Sequence, residues 1–236
     1  MTQPQKNNCM KPTIISRLPI ATLAIVSSVI LTLDAHGAAI LSPTGALTDM
    51  GEVFAASRTR NQSGLAVGFT SLSTDFDTYI ASNRTAFHGG GSNIWGSTLG
   101  IRMGNFDFSL GGTYLVTAMA FWNLIGDPSA VRQFTLLLDD NPSFSSPVVF
   151  GTFTASNTLG TGANTAAQVF TIPETSASFI RLQIMNTWSE NSPHTVFNEA
   201  AFRVTPVPEP ASSALLLFGA LSLVRRRSHR PNDPGV

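Results

Sequence analysis

From residue 40 to residue 205, apolar and polar side chains alternate along the chain, and the hydrophobic residues show no helical period. The alternation is clearest at 106–110, 180–185 and 199–204. A period of two places one face of a β-strand on a core and leaves the other in water. The segment 114–122 is apolar on both faces, which is typical of a central strand. Seven or eight short strands, separated by turns rich in Gly, Asn and Asp, predict an all-β fold, an antiparallel β-sandwich.

The N-terminal 37 residues follow a different pattern. Three basic residues precede a mostly apolar stretch at 18–33, and the small residues Ala35 and Gly37 occupy the −3 and −1 positions of a cleavage site. This order predicts a signal helix at residues 1–37 that the secretion machinery recognises and signal peptidase removes. A retained N-terminal membrane helix is the alternative.

Three pieces follow one another at the C-terminus: a Pro-rich entry, an apolar run and a basic cluster. The entry is Val207-Pro208-Glu209-Pro210, and the cluster is Arg225-Arg226-Arg227. The apolar run at 211–224 would form a helix about 21 Å long, whereas a bilayer core is about 30 Å thick. The arginines would stay on the cytoplasmic side of the inner membrane. The short run favours a processing signal, and a marginal single-pass anchor is the alternative.

This order of pieces resembles the PEP-CTERM sorting signal of Gram-negative bacterial surface proteins. The resemblance assigns residues 206–230 to the sorting signal, including a short transmembrane sorting helix, and leaves 231–236 as a tail. It implies that an exosortase-type transpeptidase, an integral-membrane cysteine enzyme, recognises the Pro-Glu-Pro element and processes the tail. The protein would pass the inner membrane transiently and reach the cell envelope, the cell surface or the extracellular space.

The remaining domain, residues 38–205, is acidic and contains neither cysteine nor lysine. Its seven arginines and eleven acidic residues give a formal charge of −4. Disulfides therefore play no part in it, and the lack of a basic patch argues against a nucleic-acid partner. Motifs of nucleophilic and zinc catalysis, such as Gly-x-Ser-x-Gly and His-Glu-x-x-His, do not occur in the sequence.

Four segments of this domain resemble strands of the discoidin-type, galactose-binding-like β-sandwich. They lie at 106–116, 133–140, 178–184 and 197–202. The first segment departs from the family pattern, because Ser109-Leu110-Gly111 replaces an acidic turn. The resemblance implies a galactose-binding-like jelly roll with ligand-binding loops at one end of the sandwich.

In many domains of this family a structural calcium lies between a last-strand Glu and an early Asp-rich loop. The matching residues in this chain are Asp75, Asp77 and Glu199. Carboxylates and carbonyls of such a turn can supply the six to eight oxygens that calcium takes. Alternatively, the two aspartates only accept backbone N–H groups of a turn, and Glu199 pairs with Arg181 or Arg203.

The ligand loops of the family correspond to 88–95 and 186–191 in this sequence. In the second loop the sugar-binding candidates are Trp188, Asn186, Glu190 and Asn191. An aromatic ring surrounded by fixed polar groups suits the apolar face and the hydroxyls of a sugar. A core position for Trp188 is an equally open alternative, whereas Trp95 is expected to fill the core.

Together these features predict an exported, non-catalytic carbohydrate-binding module of the cell surface or extracellular matrix, with extracellular polysaccharide as its partner. A purely structural matrix component without a ligand is the first alternative. A glycan hydrolase is the second; it would need two carboxylates held about 5 to 9.5 Å apart, and nothing in the sequence selects a pair such as Asp107 and Glu199.

Overall fold

The computed structural model of the chain describes residues 38–82, 84–87 and 91–207. The predicted signal helix at 1–37 lies outside the described residues, as do the sorting helix and the arginine cluster within 208–236. Among the residues that are described, no helix is long and apolar enough to cross a membrane.

The described residues form strands, one short α-helix and one turn of 3-10 helix. In chain order these are β1 (Ala39–Leu41), β2 (Gly45–Thr48), the 3-10 helix Ala56–Thr59, α1 (Phe76–Ala81), β3 (Thr85–Phe87), β4 (Trp95–Gly96), β5 (Gly104–Trp122), β6 (Val131–Asp139), β7 (Val148–Thr154), β8 (Gly160–Thr161), β9 (Asn164–Ala166), β10 (Gln168–Thr187), β11 (Val196–Phe197) and β12 (Glu199–Pro206). Asp75 caps the N-terminus of α1, since its side chain accepts a hydrogen bond of 2.8 Å from the backbone N–H of Thr78. The pattern did not predict this helix, because it makes less than two turns.

Seven strands form one antiparallel sheet in the order β1-β12-β5-β10-β6-β7, with β2 also paired to β5. Strands β5 and β10 are 19 and 20 residues long, and each contributes to two halves of this sheet. The first half of β5 pairs with β2 and the second half pairs with β12. We call β2, the first half of β5, the second half of β10, β6 and β7 the front sheet. The back sheet consists of β1, β12, the second half of β5 and the first half of β10. The prediction of an all-β antiparallel architecture is confirmed.

The sheet folds over where β5 passes Gly111, which has a φ of +79°. A Cβ at this position would lie 2.5 Å from Cγ2 of Thr44, so both the conformation and the space require glycine. Strand β10 accommodates the same bend with register shifts between Thr171 and Thr175 and between Ala177 and Phe179. The front and back sheets can therefore face each other although they share two continuous strands.

Aromatic side chains fill the space between the two sheets. Phe121 of the back sheet contacts Phe134 of the front sheet, with ring centroids 5.9 Å apart, and packs on Phe197 at 5.0 Å. Trp95 is fully buried and stands edge-on to Phe106 at 4.7 Å, which confirms its predicted place in the core. Burial of each such side chain contributes about 1.5–3 kcal/mol, so this layer is the main source of stability.

A second, smaller apolar layer covers the outer face of the back sheet. Phe76 and Tyr79 of α1 pack there on Trp122 and on the small residues Ala118 and Ala120 of β5. Residues 118–122 of β5 are thus buried on both faces, which explains why this part of the chain is apolar on both sides. Small residues on β5 let the helix approach the strand closely.

Candidate functional site

Three connections of the described chain meet at one end of the sandwich, which we call the loop end. Strand β5 ends there at Trp122 opposite the start of β12, and β10 ends there at Thr187 opposite Val131, the first residue of β6. The first half of β5 starts at the same end, since Gly104 pairs with Ile184. The strand registers therefore bring together segments 97–103, 123–130 and 188–195, which are far apart in sequence.

A cleft of about 280 Å³ opens at the loop end. It is lined by Arg102, Met103, Met185, Asn186, Thr187 and Glu190. The two methionines are 65% and 44% exposed, so they present flexible apolar surface to solvent. Arg102, Asn186 and Glu190 line the cleft together with that surface. The cleft therefore offers a charged donor, a neutral amide and a carboxylate acceptor.

The amide of Asn186 is held in place by one hydrogen bond, in which its Nδ2 donates to Oε1 of Gln133 at 2.7 Å. Its Oδ1 is buried and accepts no hydrogen bond from any described residue. A buried acceptor without a donor costs free energy unless a water or a ligand hydroxyl supplies one. Gln133 therefore fixes the orientation of the Asn186 amide in the wall of the cleft.

Trp188 lies on the same loop but is not among the residues that line the cleft. It is 37% exposed, its indole N–H donates to the backbone oxygen of Ala155 at 3.1 Å, and the guanidinium of Arg132 lies 5.3 Å from the ring centroid. Trp188 thus lies at the surface rather than in the core, and its contacts with Ala155 and Arg132 fix the position of its ring. Asn191, also on this loop, is exposed, and its backbone N–H donates to Oγ of Ser189 at 3.2 Å.

The three carboxylates predicted to hold calcium have separate partners. Asp75 caps α1, and its hydrogen bonds with Thr78 lower the pKa of its carboxyl. Asp77 forms an ion pair with Arg203 at 2.8 Å, and Glu199 accepts a hydrogen bond from the backbone N–H of Gln62 at 3.3 Å. The described residues contain no group of three or more His, Cys, Asp or Glu side chains that could share an ion. As arranged here, these side chains do not fit a common metal site, and calcium binding stays an untested prediction.

Glu199 has the most unusual environment of these acids. Its side chain is 1% exposed, and Oε2 accepts no hydrogen bond from any described residue. Burial raises the pKa of Glu199 to about 8, although the N–H of Gln62 and the charge of Arg60 both act to lower it. Neither of the predicted partners pairs with it, because Arg181 binds Asp107 and Arg203 binds Asp77.

The structure does not bring Asp107 and Glu199 together as a catalytic pair. Arg181 donates two hydrogen bonds of 2.7 Å to the two carboxylate oxygens of Asp107 on the outer face of the front sheet. Glu199 instead stands opposite Trp122 at the start of β12, in the back sheet. Among the described residues, each of these acids therefore has a separate structural environment.

Sequence reasoning found Asn186 and Glu190 of the cleft but missed Arg102, Met103 and Met185. The segment before β5 offered one signal, because Leu99, Ile101 and Met103 form a period-two apolar series although all three are exposed. Exposed apolar residues next to a charged residue often mark a binding surface. Only the pairing of β5 with β10 shows that this segment meets the loop after Thr187.

No protein-family model matches the chain, and no curated protein matches it in sequence. Several solved structures overlap with it at low identity. A family 32 CBM (carbohydrate-binding module) of Clostridium perfringens NanJ in complex with galactose gives a TM-score of 0.46 at 12% identity, over 70% of this chain and 97% of that chain. A chitosan-binding module of a Paenibacillus chitosanase/glucanase gives 0.43 at 14% identity, over 69% and 95%. The CBM32 of AlyQ in complex with 4,5-unsaturated mannuronic acid gives 0.42 at 12% identity, over 69% and 96%. At these TM-scores the overlaps carry no argument about the ligand of this chain.

Proposed function

We propose that this chain is a non-catalytic carbohydrate-binding protein whose ligand occupies the cleft at the loop end. The observation that carries the proposal is the convergence of Arg102, Asn186 and Glu190 around the exposed side chains of Met103 and Met185. A sugar ring has an apolar C–H face and a rim of hydroxyls, and this cleft offers surface for both. Trp188 lies on the same loop and presents partly exposed aromatic surface.

The polar groups of the cleft are better suited to binding several hydroxyls than to binding one charged group of a ligand. Arg102 only donates hydrogen bonds, Glu190 accepts them when ionised, and the amide of Asn186 can do both. Each hydroxyl of a sugar both donates and accepts, so neighbouring hydroxyls could bridge these side chains. Hydrogen bonds to charged groups contribute about 1.5–3 kcal/mol each, so loss of one should weaken binding about tenfold or more.

A hydrolytic role has less support in the geometry. Glycoside hydrolysis of the usual kind needs two carboxyl groups on opposite sides of the scissile bond. Glu190 is the one carboxylate among the described residues that line the cleft. A binding role needs no second acid, and the cleft residues suffice for it.

The proposal includes export, which rests on the N-terminal sequence pattern, and sorting, which rests on the family resemblance of the C-terminus. A signal peptide at 1–37 would send the chain across the inner membrane, and the segment 206–230 would be recognised by an exosortase-type transpeptidase at Pro208-Glu209-Pro210. Mass spectrometry of the protein from its native cells tests this directly. We expect both termini to be shortened, whereas a chain intact from Met1 to Val236 would contradict the sorting proposal.

Binding itself can be tested with a glycan array and with affinity electrophoresis in polysaccharide gels. We expect the purified protein to bind at least one glycan, and Glu190→Gln and Trp188→Ala to weaken that binding. Glu174→Gln, an exposed acid of β10 far from the cleft, serves as the matched control. Failure to bind any glycan would favour a structural matrix component, and release of shortened glycans would favour a hydrolase.

A further inference from the structure

Three concavities lie in line on the outer face of the front sheet, along the line where β5 pairs with β10. The first is the cleft at the loop end. The second, of about 450 Å³, shares Met103 and Met185 with it and adds Asn105 and Gln183. The third, of about 90 Å³, lies between β2 and the turn after β6 and is lined in part by Asp107, Ser109 and Phe179. We call this row of concavities the seam groove.

The seam groove is longer than one sugar ring. From Met103 to Ser109 the chain advances six residues, and an antiparallel strand rises about 3.4 Å per residue, so the groove is about 20 Å long. The outward-facing side chains in it alternate with fully buried ones such as Phe106 and Phe108. Buried core residues therefore support the groove from below along its length.

The charges in the groove are close to balance and are fixed by contacts. Two hydrogen bonds of 2.7 Å join Arg181 to Asp107, and the ring of Phe144 lies 4.2 Å from the Arg181 guanidinium. These bonds use Nε and Nη2 of Arg181, which leaves Nη1 able to donate to a ligand. Asp49 holds Asn105 through two further bonds of 2.7 Å. The groove thus presents positioned polar groups without an excess of positive charge that would attract an acidic polymer.

We propose that the seam groove binds several consecutive sugar units within a neutral polysaccharide chain, so that the protein holds the interior of a polymer rather than a single terminal sugar. This rests on the carbohydrate-binding function proposed above and extends it beyond the cleft. The apolar C–H faces of the sugar units would lie on the methionines and on Phe179, and their hydroxyls would bond the side chains of Asn105, Gln183 and Arg181.

The backbone geometry favours a polysaccharide over an extended peptide. A bound peptide strand gains most from free N–H and C=O groups at a sheet edge. Along the seam these groups are already used, because Asn105 pairs with Gln183 and Asp107 pairs with Arg181 in the β5–β10 ladder. Recognition there depends on side chains alone, which suits a ligand covered with hydroxyls.

Isothermal titration calorimetry of the full chain with sugars of increasing length tests the proposal. The probes are β-1,4-linked glucose, mannose and N-acetylglucosamine oligomers of one to six units, with alginate oligomers as an acidic comparison. We expect the Kd of one neutral series to fall at least about tenfold from the dimer to the hexamer. Gln183→Ala should remove that gain, because Gln183 is exposed and lies in the second concavity rather than in the cleft. Val169→Ala, a partly exposed residue of β10 in the back sheet, is the matched control and should bind as the wild type does.

The possible failures are distinguishable. Equal affinity for all lengths, with Gln183→Ala silent, would overturn the seam groove and leave the carbohydrate-binding function standing. Preference for the alginate oligomers over every neutral series would overturn the neutral-polymer assignment. Absence of binding to every probe would count against both the groove and the proposed function.

Discussion

The buried carboxyl of Glu199 provides a stability test whose size follows from its surroundings. The side chain is 1% exposed, and its described hydrogen bond comes from the N–H of Gln62. Burial raises the pKa of Glu199 from 4.5 to about 8 in the folded chain. The perturbation is Glu199→Gln, which keeps the shape and the acceptor oxygen but cannot ionise.

The sign of the effect follows from proton linkage. Between pH 4.5 and about 8 the folded protein keeps the proton of Glu199, whereas the unfolded chain has released it. The free energy of unfolding of the wild type therefore falls as pH rises through this window, by about 1.4 kcal/mol for each pH unit. Across the whole window the loss reaches at most about 5 kcal/mol, and above the folded pKa it stops growing.

Urea unfolding of wild type and Glu199→Gln at pH 4.5, 6 and 8 measures this loss. Near pH 4.5 the two proteins should differ by less than about 1 kcal/mol, and by pH 8 the variant should be more stable by several kcal/mol. Other titrating groups are common to both chains, so they cancel in the difference. Glu174→Gln, at an exposed position, should show no such pH dependence. A constant difference between wild type and Glu199→Gln at all three pH values would refute the reasoning.

Three further changes test the core, the bend and the predicted calcium site. Phe121→Ala should cost about 3–5 kcal/mol in urea unfolding, because the fully buried ring joins the two sheets; a cost below about 1 kcal/mol would contradict this. Gly111→Ala should lower stability by about 1–3 kcal/mol, since an alanine must adopt positive φ and displace Thr44, and an unchanged urea midpoint would speak against the bend. From the contacts of Asp77 we expect melting to be insensitive to a chelator and Asp77→Ala to cost at most about 1 kcal/mol, because its pair with Arg203 is largely exposed. Chelator-sensitive melting that Asp77→Ala abolishes would instead establish the calcium site.

The fold class could be predicted because alternation is a local property of the sequence. Strands β5, β6, β10 and β12 all coincide with segments of period two or of continuous apolar character. The fold-over of the sheet could not be predicted in the same way. Gly111 and its neighbour Gly112 indicate a turn, but only the structure shows that β5 continues through them as one bent strand.

The partners of individual side chains were harder to predict than the positions of the strands. Asp107 and Arg181 both face outward on their strands, yet they meet only because the β5–β10 register places them opposite each other. The sequence therefore left Glu199 as a plausible partner for Arg181 or Arg203, and the structure gives both arginines to other acids. A shift of one residue in register would have changed every such pair.

Only part of the cleft could be predicted, because its other part depends on strand pairing. The family resemblance pointed to the loop 186–191, and its aromatic and polar residues then made Asn186, Trp188, Glu190 and Asn191 the candidates. Arg102, by contrast, belongs to a distant segment that reaches the cleft through strand pairing. A resemblance in one loop identified one wall of the cleft, whereas the opposite wall depends on long-range strand pairing.

The most direct test of the proposed function is an NMR titration in which both partners are observed. Amide and side-chain signals of the protein would be followed while a neutral oligosaccharide identified on the glycan array is added. We expect saturable shifts at Arg102, Asn186 and Glu190, with no change in the oligosaccharide's own spectrum apart from line broadening. Shifts confined to the opposite end of the sandwich, or the appearance of shorter sugars during the titration, would contradict a non-catalytic binding site in this cleft.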